Sequence, residues 1–182
     1  MKLIGIVGLP GSGKGEFSRC ARDLGIPVLV MGDVIRRVAM ERGLPADDAT
    51  LGGISGELRK ELGRGAVALL MIDAIRGLGA PVVLVDGIRS DAEVVEFRRA
   101  FPGFALVGVT SPFEARLARL RARERTDDIA GTEALARRDE RELGWGLGTA
   151  LAGAEVTVEN AGSLDAFRRE VRCLLASLSG GA

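Results

Sequence analysis

Residues 8–18 read GLPGSGKGEFS, between an apolar run, LIGIV, and a helix-compatible run, EFSRCARDL. No other stretch restricts the fold so strongly. An apolar strand that turns through four glycines, a proline and a lysine straight into a helix predicts a strand–helix–strand unit with parallel strands. Apolar runs bounded by turn signals at 27–31, 81–86, 104–110 and 154–159 join 2–7 as five expected strands. Their apolar character is continuous, as strands covered on both faces require. Right-handed crossovers then place helices on both sides and gather ligands at the carboxyl ends of the strands. Ser90 with Glu93 predicts a capping box, Ser111, Pro112 and Glu114 a second helix start, and Ser163 the N-cap of the last helix. Residues 116–148 break the rhythm with dense charge and few apolar positions, which predicts an insertion lying over the surface. The expected organisation is one α/β domain over 1–182, in three layers α/β/α, with a five-stranded parallel sheet and a small helical insertion at about 121–145.

Composition removes several chemistries. With 182 residues the chain suits one domain with a sizeable core. Lys plus Arg and Asp plus Glu both number 25, so no general attraction to nucleic acid or membrane is expected. Histidine and tyrosine are absent, which rules out histidine-ligated zinc and a Ser-His-Asp triad. Cys20 and Cys173 sit in helical patterns and are expected to be small buried hydrophobes. No apolar run reaches the roughly 18 residues of a membrane span, and MKLIGIVGLP is a poor leader, so the expected location is cytoplasmic.

The glycine stretch fits the phosphate-binding pattern G-x-x-x-x-G-K. Glycines let successive backbone N–H groups converge on a phosphate, and the following helix adds its positive end. Lys14 supplies a mobile charge. It is one of three lysines in a chain that otherwise uses arginine, and a point charge can follow a transferring phosphoryl group better than a fork. The dinucleotide pattern G-x-G-x-x-G fits poorly, because its third glycine position is Glu16. The expected nucleotide-binding residues are Gly8, Leu9, Pro10, Gly11, Ser12, Gly13, Lys14, Gly15 and Glu16. Gly15 stands where many nucleotide hydrolases carry a Ser or Thr on Mg²⁺, so the ion is expected on nucleotide oxygens and water, with Glu16 or Ser18 touching that water. Glu16 could equally be a first-turn acid that favours the helix dipole.

Asp86 ends an apolar strand in VVLVDGIRS, where a carboxylate can organise Mg²⁺-bound water, orient an acceptor, or simply start an Asp-Gly turn. Asp33 in MGDVIRR can cap a helix, with Arg36 one turn later on the same face. RLARLRARER, residues 116–125, invites a nucleic-acid reading, but the acids of TDDIAGTEALARRDERELG return most of that charge and aromatics are lacking. A solvated, salt-bridged helix is the plain alternative.

Taken together, GLPGSGKGEF, MGDVIR, VDGIRS, RTDD, RRDERELGWGLG and ENAGSL resemble the P-loop kinases of the adenylate kinase and dephospho-coenzyme A kinase group. The similarity is greatest to an archaeal family of small kinase-like ATP-binding proteins. Adenylate kinases share the glycine after the lysine. The resemblance implies Mg-ATP on residues 8–15 and an acceptor held by Asp33, Arg36, Gly87 and Arg89, with Arg89 on the acceptor's phosphate. It implies a lid in which Arg125 and Arg138 close on the phosphates, backed by Arg121 and Arg123, with Asp127 and Asp128 holding the lid's arginines. It also implies a proton-accepting role for Asp33, backbone near the adenine at Asn160, and Mg²⁺ organised by Asp86 and by Glu16 through water. Two departures bear on the acceptor: the Asp-Gly-Phe-Pro-Arg segment is shortened to Asp-Gly-Ile-Arg, and the dephospho-coenzyme A kinase acceptor motifs between 40 and 80 are missing. The expected acceptor is therefore a nucleoside monophosphate or dephospho-coenzyme A. The alternative is a nucleotide-dependent switch that docks RNA through Arg119, Arg121 and Arg123.

Overall fold

The computed structural model describes residues 1–122 and 131–180. In chain order the elements are β1 Lys2–Val7, α1 Lys14–Asp23, β2 Val28–Val30, α2 Met31–Glu41, α3 Asp48–Leu62, α4 Ala66–Gly77 and β3 Val82–Ile88. They continue with α5 Asp91–Ala100, β4 Gly103–Thr110, α6 Phe113–Arg121, α7 Thr132–Gly144, α8 Leu147–Ala152, β5 Val156–Glu159 and α9 Leu164–Leu178. The strands form one sheet in the order β2-β3-β1-β4-β5, and every pairing is parallel. All five expected strands are present, four of them with ends moved by a residue or two.

The alternation of β1 builds two cores. Leu3 and Val7 face one way, into a cluster with Met31 and Ile35 of α2, Ile54 and Leu58 of α3, Val67 and Met71 of α4, Phe97 of α5 and Leu147 of α8. Ile4 and Ile6 face the other way, onto Phe17 and Cys20 of α1 and onto Phe167, Val171 and Leu175 of α9. The last three recur every four residues, so one stripe of α9 covers the sheet. Gly5 is required by packing: a Cβ there would run into Ile88 and the ring of Phe104.

The helix starts divide. The Ser90–Glu93 capping box forms in full, and the Ser163 hydroxyl accepts from the Ala166 N–H. Ser111 does not cap α6; its hydroxyl donates to the Asn160 carbonyl and accepts from Arg119. Asp33 does not cap α2, which already begins at Met31. Of the cysteines, Cys20 is buried and Cys173 is exposed on the outer face of α9. Nor is residue range 116–148 merely a surface layer. Leu117, Leu120 and Leu135 form a small core between α6 and α7, and α8 joins the main one. Among the described residues no helix is long and apolar enough to cross a membrane.

Candidate active site

The strand β1 leads directly into the glycine loop. Gly11 (φ 77°) and Gly13 (φ 118°) hold left-handed backbone that a side chain would strain, and a Cβ on Gly8 would strike the Val109 carbonyl. Three side chains brace the loop from below. Buried Asn160 donates from its carboxamide to the Ser12 carbonyl at 2.9 Å and packs against Gly13. Arg116 of α6 donates to the Pro10 carbonyl at 3.0 Å and forks onto Asp139 of α7 at 2.6 and 3.0 Å. Arg119 donates to the carbonyls of Gly11 and Asn160. These positions bear on two expectations. Asn160 supports the loop mechanically through its side chain. The arginine stretch does not present Arg119 as an outward docking face.

Lys14 opens α1 and curls back, donating to the carbonyls of Gly8 at 2.6 Å and Leu9 at 3.1 Å. Desolvation pushes its pKa down to about 8, against the attraction of Asp86 and Glu142 and with the repulsion of Arg89 and Arg138. The Ser12 hydroxyl, inside the same loop, is buried without a hydrogen-bond partner. Asp86 lies buried near the carboxyl end of β3 and accepts from the Ser18 hydroxyl at 2.7 Å. Glu16 points elsewhere: its carboxylate accepts from Arg168 of α9 at 2.6 Å and pairs with Arg19 at 2.9 Å. This overturns its expected place in a metal's water shell, because Ser18 and Glu16 lie on different faces of α1. Gly15 has open space where a Cβ would stand.

A buried carboxylate, an adjoining hydroxyl and room at Gly15 fit a hydrated Mg²⁺ held mainly by nucleotide oxygens. Among the described residues no group of three or more acids, histidines or cysteines offers a closed metal cage.

Near its carboxyl end β3 bulges at Gly87 (φ 97°), where the register with β1 slips by one residue. Arg89, just past this point, lines a cleft together with Gly32, Ile35, Arg36, Asp48, Ser55, Arg138 and Arg141. Arg36 and Arg89 thus meet in one cleft, as expected, and Arg138 of α7 joins them. Asp33 does not line it. Its carboxylate is 67% exposed and pairs with Arg36 at 2.9 Å, which removes the geometric basis for a proton acceptor there. Arg123, Arg125, Asp127 and Asp128 lie outside the described residues, and Arg121 is exposed at the end of α6.

Five participants, Asp48, Arg59, Arg141, Glu142 and Trp145, were not singled out from the sequence. Asp48 accepts from Arg141 at 2.8 and 3.0 Å and lies 3.4 Å from Arg138, tying α3 to α7. Glu142, 2% exposed, lies 3.2 Å from Arg138 and 3.5 Å from Arg89. Burial raises its pKa, but Arg89, Arg138 and Lys14 outweigh burial and hold it below the usual carboxylate range. Trp145 lies under the guanidinium of Arg59 at 4.5 Å and that of Arg141 at 5.6 Å. The one available signal was the i, i+4 spacing of Arg138 and Glu142, which a surface helix shows just as often.

The AAA_17 family model, an AAA domain, matches residues 7–136. A UPF0200 protein of Methanoculleus marisnigri is 57% identical over 180 residues, covering 99% of this chain and 98% of the relative. Among solved structures, TT1252 from Thermus thermophilus superposes with a TM-score of 0.65 at 23% identity, covering 98% of both chains. Shikimate kinase from Acinetobacter baumannii, in complex with shikimate, does so with a TM-score of 0.65 at 18% identity, covering 100% of this chain and 94% of that one. At such identities the superpositions speak for the fold, a five-stranded parallel sheet with helices on both sides as in P-loop kinases. The strength and length of the match to its relative make this chain a member of the UPF0200 family, built on a P-loop kinase-like AAA domain.

Proposed function

We propose that the protein is a phosphotransferase that moves the γ-phosphoryl group of Mg-ATP to a nucleotide-like acceptor. The observation that carries this reading is the convergence of three cations from three elements, Lys14 of the glycine loop, Arg89 after β3 and Arg138 of α7. They meet beside an arginine-lined cleft at the carboxyl ends of the strands. The glycine loop offers the donor's phosphates its N–H groups and the positive end of α1. Lys14 exchanges the Gly8 and Leu9 carbonyls for phosphate oxygens. Asp86, oriented by Ser18, holds water of the metal's shell. Mg²⁺, when bound with the nucleotide, offsets charge on the β- and γ-phosphates. Arg138 faces the charge that spreads over the transferring group, while Arg36, Arg89 and Arg141 hold the acceptor's anion.

The cleft favours a nucleoside monophosphate over dephospho-coenzyme A as acceptor. A hydroxyl acceptor needs a base, and Asp33 lies outside the cleft while Asp48 and Glu142 are held in arginine pairs. A phosphate oxygen is already a nucleophile. Of the arginines that the RNA-docking alternative uses, Arg119 is engaged in holding the glycine loop. A panel of nucleoside monophosphates and dephospho-coenzyme A, read as ADP formed, tests the proposal. Phosphorylation of at least one monophosphate is expected, with Lys14→Ala inactive. Turnover that is confined to dephospho-coenzyme A contradicts the acceptor assignment, and equal activity in Lys14→Ala contradicts the mechanism.

A further inference from the structure

Three side-chain cations meet beside the cleft, and like charges at such range repel. Something must hold them together before any phosphate arrives. Lys14 has the carbonyls of its own loop. Arg89 and Arg138 share one carboxylate, that of Glu142, at 3.5 and 3.2 Å. Glu142 is 2% exposed and stands one turn along α7 from Arg138, so the two travel as a unit. A second carboxylate near Arg138, that of Asp48, differs in kind. It comes from α3 and its side chain is 31% exposed, so a ligand can displace it without moving α7.

We infer that Glu142 is the positioning residue of the phosphate site, a built-in counter-anion that keeps Arg89 and Arg138 converged when the site is empty and stays in place when an anion binds. The inference deepens the proposed kinase reading and rests on it for what the anion is, a phosphate ester. Simple repulsion argues the opposite sign: a carboxylate so near an anion site weakens anion binding. The geometry weighs against that outcome. Without Glu142, Arg89 and Arg138 are left near each other with no shared anion; Arg138 keeps Asp48, but the long stem of Arg89 swings away. A site organised in advance then becomes one that each ligand must organise, at a loss of affinity.

The test uses inorganic pyrophosphate as probe, titrated into the full chain by calorimetry, with wild type, Glu142→Gln, Arg89→Ala and the double variant forming a cycle. Glu142→Gln is expected to bind pyrophosphate about tenfold more weakly. The double variant is expected to bind less weakly than the product of the two single losses, since part of the effect of Glu142 runs through Arg89. Glu142→Asp, with the same charge and a shorter reach, is expected to fall between wild type and Glu142→Gln. Equal or tighter binding by Glu142→Gln overturns the inference, as does an additive double variant, which is what general damage to the fold produces. Absence of pyrophosphate binding by wild type overturns it too. If Glu142→Gln does not fold, Glu142→Asp replaces it in the cycle, and wild-type affinity there is the contrary result. Mg-ATP titrated into the same wild-type protein separates the two readings. Pyrophosphate binding with the expected cycle but no Mg-ATP binding leaves Glu142 in its role and overturns the nucleotide site.

Discussion

The two halves of the candidate site are built by different means. The donor side, residues 8–18, is made by backbone: glycine conformations, amide directions and one lysine at the mouth of α1. The acceptor side is made by side chains from α2, α3, α7 and the turn after β3, joined by ion pairs that cross up to 93 residues of chain. Backbone geometry leaves a local imprint in residue types, because only glycine takes the left-handed turns. Long-range ion pairs leave none, since any exposed helix carries the same acids and arginines.

The sharpest way to break this contrast is at Lys14, the donor-side group whose side chain carries a charge to the phosphates. Lys14→Ala is expected to lower turnover by about 10²–10³ or more while thermal unfolding stays cooperative. Next is Arg116, which links the halves. Arg116→Ala leaves Asp139 without its forked partner and the Pro10 carbonyl without its donor. A loss of about 3–5 kcal/mol in chemical denaturation is expected, with weaker nucleotide binding, and a loss under 1 kcal/mol would deny that the brace matters. Third is Arg141, which lines only the acceptor cleft. Arg141→Ala is expected to raise the acceptor's KM about tenfold and leave kcat within about twofold. It should also change the emission of Trp145, the chain's only tryptophan, because it removes a guanidinium from that ring. The smallest effect is expected at Gly15, where the space for a side chain is open. Gly15→Ser should fold, gain roughly 0.5 kcal/mol from helix propensity and keep most of its turnover. A large loss would show that the glycine itself is needed there.

The same division governs what could be read in advance. All five strands, the Ser90–Glu93 box and the glycine loop were legible, because each follows from local periodicity or conformational rule. Arg36 and Arg89 were legible through resemblance, and they do share a cleft. Asp33 and Glu16 misled, each having a neighbouring arginine that claims its carboxylate. Ser111 resembled a cap but anchors Arg119 and Asn160. Glu142 and Asp48 were invisible for the converse reason. Their partners are specified by how α7 lies against α3 and the β3 turn, which no short window records.

The central claim is that Lys14 leaves its own loop for a bound polyphosphate, and proton linkage tests it most directly. The pKa of Lys14 is lowered from 10.5 to about 8 in the ligand-free fold, so the unfolded chain holds more protons between those values and this group makes the fold more stable as pH rises through that window. A polyphosphate favours the charged ammonium and raises the pKa again. Mg-ATP titrated by calorimetry at about pH 8.5, in two buffers of different ionisation enthalpy, is expected to bind with net proton uptake in the wild type and with none in Lys14→Met. Binding with no difference between the two proteins, or no binding heat in either buffer, contradicts the account.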